Sequence, residues 1–149
     1  MQTSVSPILF VAMLAGILAL IAIVIAFRMR PARQSRVAVG AAVLPALLML
    51  ALFYSLAIHM RQSLGAWPAS IGEHGFPARL ITHGFIATNY FSVLLQASIF
   101  AWPVAFLLCL LIRRWRVCVY YLGVYAFACL ACFGAMLLAP SQFLNWWWD

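Results

Sequence analysis

Four long apolar runs, separated by short polar segments, dominate the pattern of this sequence. The runs cover about residues 7–27, 37–58, 85–112 and 117–139. Each is at least as long as the roughly 20 apolar residues that an α-helix needs to cross the hydrocarbon core of a bilayer. The pattern predicts an all-α integral membrane protein, a four-helix bundle in which residues 1–149 form a single transmembrane domain.

The first apolar run is predicted to be a retained span rather than a secretory signal peptide. A signal peptide combines a basic leading segment with a shorter apolar core and a small-residue cleavage site. Residues 1–6 carry no charge, and the apolar run that follows is 21 residues long. Five alanines in this run recur at alternating intervals of three and four, which places them on one helical face. Small residues allow close helix contact in lipid, so we predict a helix-packing face: Ala12, Ala15, Ala19, Ala22 and Ala26.

The charged residues predict an orientation. The chain contains nine basic residues, all of them arginine, and only two acidic residues. Seven of the arginines lie in the two short segments that follow the first and third runs. The excess of basic residues in short cytoplasmic loops makes that side cytoplasmic, so both termini are predicted to lie outside. The seven residues are Arg28, Arg30, Arg33, Arg36, Arg113, Arg114 and Arg116.

Composition predicts a membrane location and argues against nucleic acid as a partner. With 68% hydrophobic residues, mean hydropathy of +1.08 and no lysine, the chain has the format of a small multi-pass protein of the bacterial inner membrane. In a soluble protein, a formal charge of +7 would suggest nucleic-acid binding. Here the arginines flank apolar runs, so they are interpreted as topology signals, and the predicted surroundings are lipid rather than nucleic acid.

The outer loop, predicted at residues 59–84, holds the residues most capable of chemistry. All three histidines of the chain occur there, and a haem or a metal ion is one hypothesis for them, although they lack a tight ligand spacing. The alternative hypothesis is that the loop recognises another protein through its charges and a tryptophan. The ligand candidates are His59, His74 and His83, and the interaction candidates are Arg61, Trp67, Glu73 and Arg79.

The third run is about 28 residues long, which exceeds the bilayer core. Near its outer end Asn89, Ser92 and Gln96 recur at helical spacing and share one face. Polar residues in a membrane helix line a functional path or hydrogen-bond a neighbouring helix, and we favour the second interpretation. Trp102–Pro103 predicts a kink in the same helix.

Several activities lack support in the sequence. Cys129 and Cys132 form a CxxC pair, but the pair lies within a span where a thiolate is disfavoured, so small buried hydrophobes are the preferred interpretation. None of the predicted spans contains Asp, Glu, Arg or Lys. Intramembrane charges mark proton relays, so their absence from the sequence argues against a proton-coupled pump.

The sequence therefore favours a non-catalytic membrane protein that binds or stabilises another integral membrane protein, as an accessory subunit does. Two alternatives remain open: a haem- or metal-binding subunit that uses His59 and His83, and an immunity protein against a pore-forming toxin. The four-span format is similar to accessory subunits and immunity proteins of bacterial membranes, but no motif supports a closer resemblance.

Overall fold

The computed structural model describes the backbone of residues 7–68 and 75–149 and the side chains of residues 16–68 and 75–149. The described parts are helical and contain no β-strand, which confirms the all-α prediction. Six α-helices follow one another: α1 (Pro7–Arg28), α2 (Arg36–Leu64), α3 (Ala78–Gln96), α4 (Trp102–Leu111), α5 (Arg116–Met136) and α6 (Ser141–Trp148).

Among the residues that the structure describes, three helical segments are long and apolar enough to cross a membrane. They are Arg36–Leu64, Ala78–Leu111 and Arg113–Met136, with mean hydropathy of 2.3, 2.1 and 1.9. This finding confirms a membrane protein with transmembrane helices, judged by length and composition. The first predicted span falls on α1, and its crossing of the membrane stays a prediction, as does the four-helix bundle.

The segment between α2 and α3 is shorter than the predicted outer loop. Helix α2 continues beyond Ile58 to Leu64, because no helix-breaking residue interrupts it before Gly65, whose φ of +68° favours glycine. Helix α3 begins at Ala78, where the carbonyl of Pro77 accepts hydrogen bonds from the next turn. The two histidines at the edges of the predicted loop are therefore helical.

The third predicted span is helical throughout, but its hydrogen bonding changes in the middle. A π-helical turn, Ala97–Ala101, joins α3 to α4 directly before the predicted kink at Trp102–Pro103. Since proline lacks an N–H and its ring crowds the preceding turn, a local change of helical hydrogen bonding at this position has a physical cause.

The chain divides into two compact units. Unit 1 comprises Met1–Ala42 and Ala97–Phe127, and unit 2 comprises Val43–Gln96 and Ala128–Asp149. Unit 1 is held by a close approach of two helices, at Ala26 of α1 and Gly123 of α5. A Cβ atom added to Gly123 would overlap the Cβ of Ala26. Hydrogen bonds to the backbone add to this contact, including one of 3.0 Å from the Trp102 indole N–H to the Leu122 carbonyl.

In unit 2, the buried residues of α2 between Ala46 and Met60 pack with small and branched residues of α3. Two tyrosines fasten its helices by donating hydrogen bonds to backbone carbonyls. Tyr54 donates to Ala135 at 2.7 Å, and Tyr90 donates to Pro45 at 3.1 Å. The largest fully buried side chains of this unit are Phe53, Leu56, Met60, Leu80, Met136 and Phe143.

The C-terminal residues form a short helix that packs on α2. Helix α6 begins after Pro140 and packs Phe143, which is fully buried, onto Phe53 with a ring-centroid distance of 5.0 Å. Trp146 and Trp147 are partly buried in the same contact. We call Phe53, Trp67, Phe143, Trp146 and Trp147 the aromatic cluster.

Candidate functional site

Two of the three histidines meet in unit 2. His59 lies in the penultimate turn of α2 and His83 in the second turn of α3, and their Nδ1 atoms are 3.0 Å apart. The ring centroids are separated by 5.2 Å and the ring planes are tilted by 35°. Both side chains are half-buried. The pairing follows from the helix bounds, because each histidine is presented by a regular helix instead of a loop. We call His59 and His83 the histidine pair.

A serine that the sequence analysis missed extends this pair. Ser55 lies one turn before His59 on α2, and its Oγ is 3.1 Å from Nε2 of His83. The same hydroxyl donates a 3.0 Å hydrogen bond to the carbonyl of Leu52. The spacing of Ser55 and His59 by four residues was the available signal, since it places both on one face of a helix.

The contacts of the histidine pair define where its protons reside. A carbonyl oxygen can only accept, so the Ser55 hydroxyl donates its single proton to the carbonyl of Leu52. The Ser55 oxygen then accepts a hydrogen bond from Nε2–H of His83. His83 then offers Nδ1 as an acceptor, and His59 donates its Nδ1–H. This is the arrangement in which all three contacts are hydrogen bonds and both rings are neutral.

The spacing of the histidine pair bears on the two ligand hypotheses differently. Axial ligands on opposite sides of a haem iron would stand about 4 Å apart, taking metal–imidazole bonds of about 2.0–2.1 Å as a guide. The observed 3.0 Å is too short for an iron atom between the two nitrogens. Adjacent ligands on one ion have to aim at a common point, whereas the 5.2 Å between the ring centroids places the two Nδ1 atoms head-on, so that each nitrogen faces the other. Within the described residues, no group of three or more His, Cys, Asp or Glu lies together.

The other predicted loop residues have separate positions. The guanidinium of Arg61 lies over the indole of Trp67, 5.6 Å from the ring centroid, as a cation–π contact. Trp67 also contacts Phe143 of the aromatic cluster. Arg79 is exposed in the first turn of α3. Glu73 and His74 lie outside the described residues.

The predicted polar face of the third span lies on the surface of unit 2. Asn89, Ser92 and Gln96, which we call the polar stripe, are all exposed on α3. The Asn89 amide donates a 2.7 Å hydrogen bond to the Phe85 carbonyl within its own helix. The amide of Gln96 has no hydrogen bond to any described residue. The stripe is flanked by exposed apolar side chains, including Phe85 and Val93.

The predicted alanine face of α1 is used inside unit 1. Ala22 and Ala26 are buried, and Ala26 makes the close contact with Gly123. Ala19 is half-buried, and the side chains of Ala12 and Ala15 lie outside the described residues. The buried part of this face is therefore already covered by the chain itself. The CxxC cysteines, Cys129 and Cys132, form no disulfide bond, and Cys132 is buried.

Comparison with known proteins adds no further constraint on this site. No protein-family model, curated protein or solved structure matches the chain.

Proposed function

We propose that this protein is a non-catalytic membrane subunit that binds another integral membrane protein through the polar stripe. One observation carries the proposal: the Gln96 amide is exposed on an apolar helix and has no hydrogen-bond partner among the described residues. In hydrocarbon, an unsatisfied polar group costs several kcal/mol. A second transmembrane helix that offers an amide or hydroxyl group at the same depth would remove this cost.

The depth of the polar stripe supports this proposal. At 1.5 Å per residue, Gln96 lies about 24 Å along the helix from Ile112, next to the basic turn Arg113–Trp115. This places Gln96 inside a hydrocarbon core of about 30 Å, while Asn89, at about 35 Å, reaches the headgroup layer unless the helix tilts. The buried alanine face of α1 does not compete for the role at Ala26, because Ala26 already contacts Gly123 of α5.

The proposal includes an orientation in the bacterial inner membrane. Helix α1 is taken as a fourth span, both termini face outward, and the two arginine-rich turns face the cytoplasm. Reporter fusions after Arg33 and after Trp115 should then report a cytoplasmic location, and a fusion at the C-terminus should report an external one. An external signal from the fusion after Arg33 would contradict this orientation.

The partner surface is tested by removing its polar group. Gln96→Leu should weaken capture of the partner from native membranes by about tenfold, because interhelical hydrogen bonds in membranes are worth about 0.6–2 kcal/mol. Thr88→Val is the matched control, because the Thr88 hydroxyl is satisfied by the Gly84 carbonyl of its own helix at 2.9 Å. Equal capture by the wild type and Gln96→Leu would remove the polar stripe from the interface.

A further inference from the structure

The positive charge of unit 1 is not balanced by any acidic residue of that unit. Residues 1–42 and 97–127, which form unit 1, include seven arginines and no aspartate or glutamate. All seven arginine side chains are exposed. Clusters of about four to eight basic residues beside a transmembrane helix are typical of sites for anionic lipids, whose phosphates supply the missing negative charge. We call the seven residues the arginine cluster: Arg28, Arg30, Arg33, Arg36, Arg113, Arg114 and Arg116.

The two basic segments that form the arginine cluster meet at one end of unit 1. The backbone N–H of Ser35 donates a 3.1 Å hydrogen bond to the hydroxyl of Tyr121, in the second turn of α5. Met29 of the first segment and Leu110, three residues before Arg113, pack against the same buried cluster. A phosphate group at this end of the unit therefore meets arginines from both segments.

An apolar groove of about 230 Å³ lies on the same unit. Three alanines and three larger residues line it: Ala97, Ala101, Trp102, Ala105, Leu122 and Tyr125. The polar groups of this lining already have partners within unit 1. The Trp102 indole N–H donates to the Leu122 carbonyl at 3.0 Å, and the Tyr125 hydroxyl is 2.7 Å from Oγ of Ser98. The groove therefore offers mainly hydrocarbon contacts to whatever occupies it.

The size and depth of the groove fit one acyl chain. Its volume of about 230 Å³ is below the roughly 300–1,000 Å³ of sites that enclose a whole small molecule. At 1.5 Å per residue, Ala105 and Trp102 lie about 12 and 17 Å along the helix from Arg113. One leaflet contributes about half of a hydrocarbon core of about 30 Å. An acyl chain whose headgroup lies at Arg113 therefore reaches this part of the groove.

We propose that unit 1 binds an anionic phospholipid, with the phosphate held by the arginine cluster and one acyl chain lying in the groove. Guanidinium groups suit this role, because their paired N–H donors match the oxygens of a phosphate. The groove adds specificity for a lipid, since a soluble phosphate compound has no chain to place there. This proposal is independent of the polar stripe, whose three residues belong to unit 2.

Native mass spectrometry of the purified full-length protein in detergent tests the headgroup site. The probes are phosphatidylglycerol and phosphatidylcholine with identical acyl chains, added in equal amounts. We expect one phosphatidylglycerol retained per chain and little phosphatidylcholine. Arg113→Gln combined with Arg114→Gln should weaken retention of phosphatidylglycerol by about 25-fold, because each basic residue near an anionic lipid contributes about fivefold. Arg79→Gln is the matched control, because it removes an exposed arginine of unit 2, and it should behave like the wild type.

The acyl-chain site is tested by filling the groove. Ala101→Leu should weaken retention of phosphatidylglycerol by about tenfold, because the larger side chain displaces methylene groups of the lipid. Ala51→Leu is the matched control, since Ala51 is an exposed alanine of α2 in unit 2. Arg113→Lys combined with Arg114→Lys keeps the charge and should restore most of the retention that the glutamine variants lose. Circular dichroism spectra like that of the wild type separate loss of lipid from loss of fold.

Three results would overturn the proposal. Equal retention of the two lipids would show that the arginine cluster does not recognise the headgroup. Wild-type retention of phosphatidylglycerol by Ala101→Leu would show that the acyl chain lies elsewhere and that the groove has another occupant, such as a partner helix. Displacement of phosphatidylglycerol by an equal concentration of glycerol 3-phosphate would show a site for a soluble phosphate compound instead of a lipid.

Discussion

The two units of this protein hold their helices together in opposite ways. In unit 1, α1 and α5 approach so closely at Ala26 and Gly123 that no side chain fits between them. In unit 2, large rings fill the contact, with Phe53 and Phe143 fully buried in the aromatic cluster. Small residues suit helix packing within lipid, whereas aromatic rings tolerate the boundary between lipid and water. The histidine pair belongs to unit 2, the unit that contains the aromatic cluster.

The aromatic cluster should be the more costly of the two contacts to lose. Phe143→Ala removes a fully buried ring that touches Phe53, Trp67, Trp146 and Trp147. We expect it to lower the free energy of unfolding by about 3–5 kcal/mol, the usual range for Phe→Ala in a packed core. Unfolding in mixed detergent, followed by circular dichroism, measures the change.

The control for this variant is an exposed phenylalanine. Phe100 is 71% exposed, so Phe100→Ala should change the free energy of unfolding far less than Phe143→Ala. Equal losses in the two variants would show that α6 does not pack on α2.

The contact in unit 1 should respond to a single methyl group. Gly123→Ala introduces a Cβ that overlaps Ala26, and we expect a loss of about 1–3 kcal/mol, as for other overpacked contacts. Gly134→Ala is the matched control on the same helix, because its added Cβ meets no atom within 4 Å. The control should be neutral or stabilising, since alanine favours helix over glycine by about 1 kcal/mol.

A second substitution sharpens this test. Ala26→Gly combined with Gly123→Ala restores the space, so the double variant should regain stability relative to Gly123→Ala alone. The melting temperature in detergent measures all three proteins. Equal melting temperatures for Gly123→Ala and Gly134→Ala would show that α1 and α5 do not approach closely at Ala26 and Gly123.

The sequence predicted the helices better than the contacts. Apolar runs of spanning length identified the three long apolar helices, because length and hydropathy are properties of a single segment. The helical ends of the predicted outer loop were not predicted, because the prolines and glycines between residues 59 and 84 suggested irregular structure, whereas α2 runs to Leu64 and α3 begins at Ala78. Breakers indicate that a helix ends, but they locate the end only within several residues.

The candidate site was predicted only in part. The sequence named His59 and His83, but their separation by 24 residues carries no information on which helix faces meet. Ser55 was missed because a lone serine in an apolar run resembles any small residue. The packing of Phe143 was not predicted, because tryptophans that follow an apolar span are typical of headgroup anchors and do not indicate a short helix that packs on α2.

The central claim is that the polar stripe faces a protein, and site-specific photo-crosslinking at Gln96 tests it most directly. A photoreactive residue at position 96 should capture one membrane protein other than this chain in intact membranes. The same residue at Leu95 is the matched control, because Leu95 is exposed at the same depth but about 100° around the helix. Position 95 should capture lipid or nothing. Protein capture at position 95 but not at position 96, or only lipid at both, would contradict the account, as would a product formed by two copies of this chain.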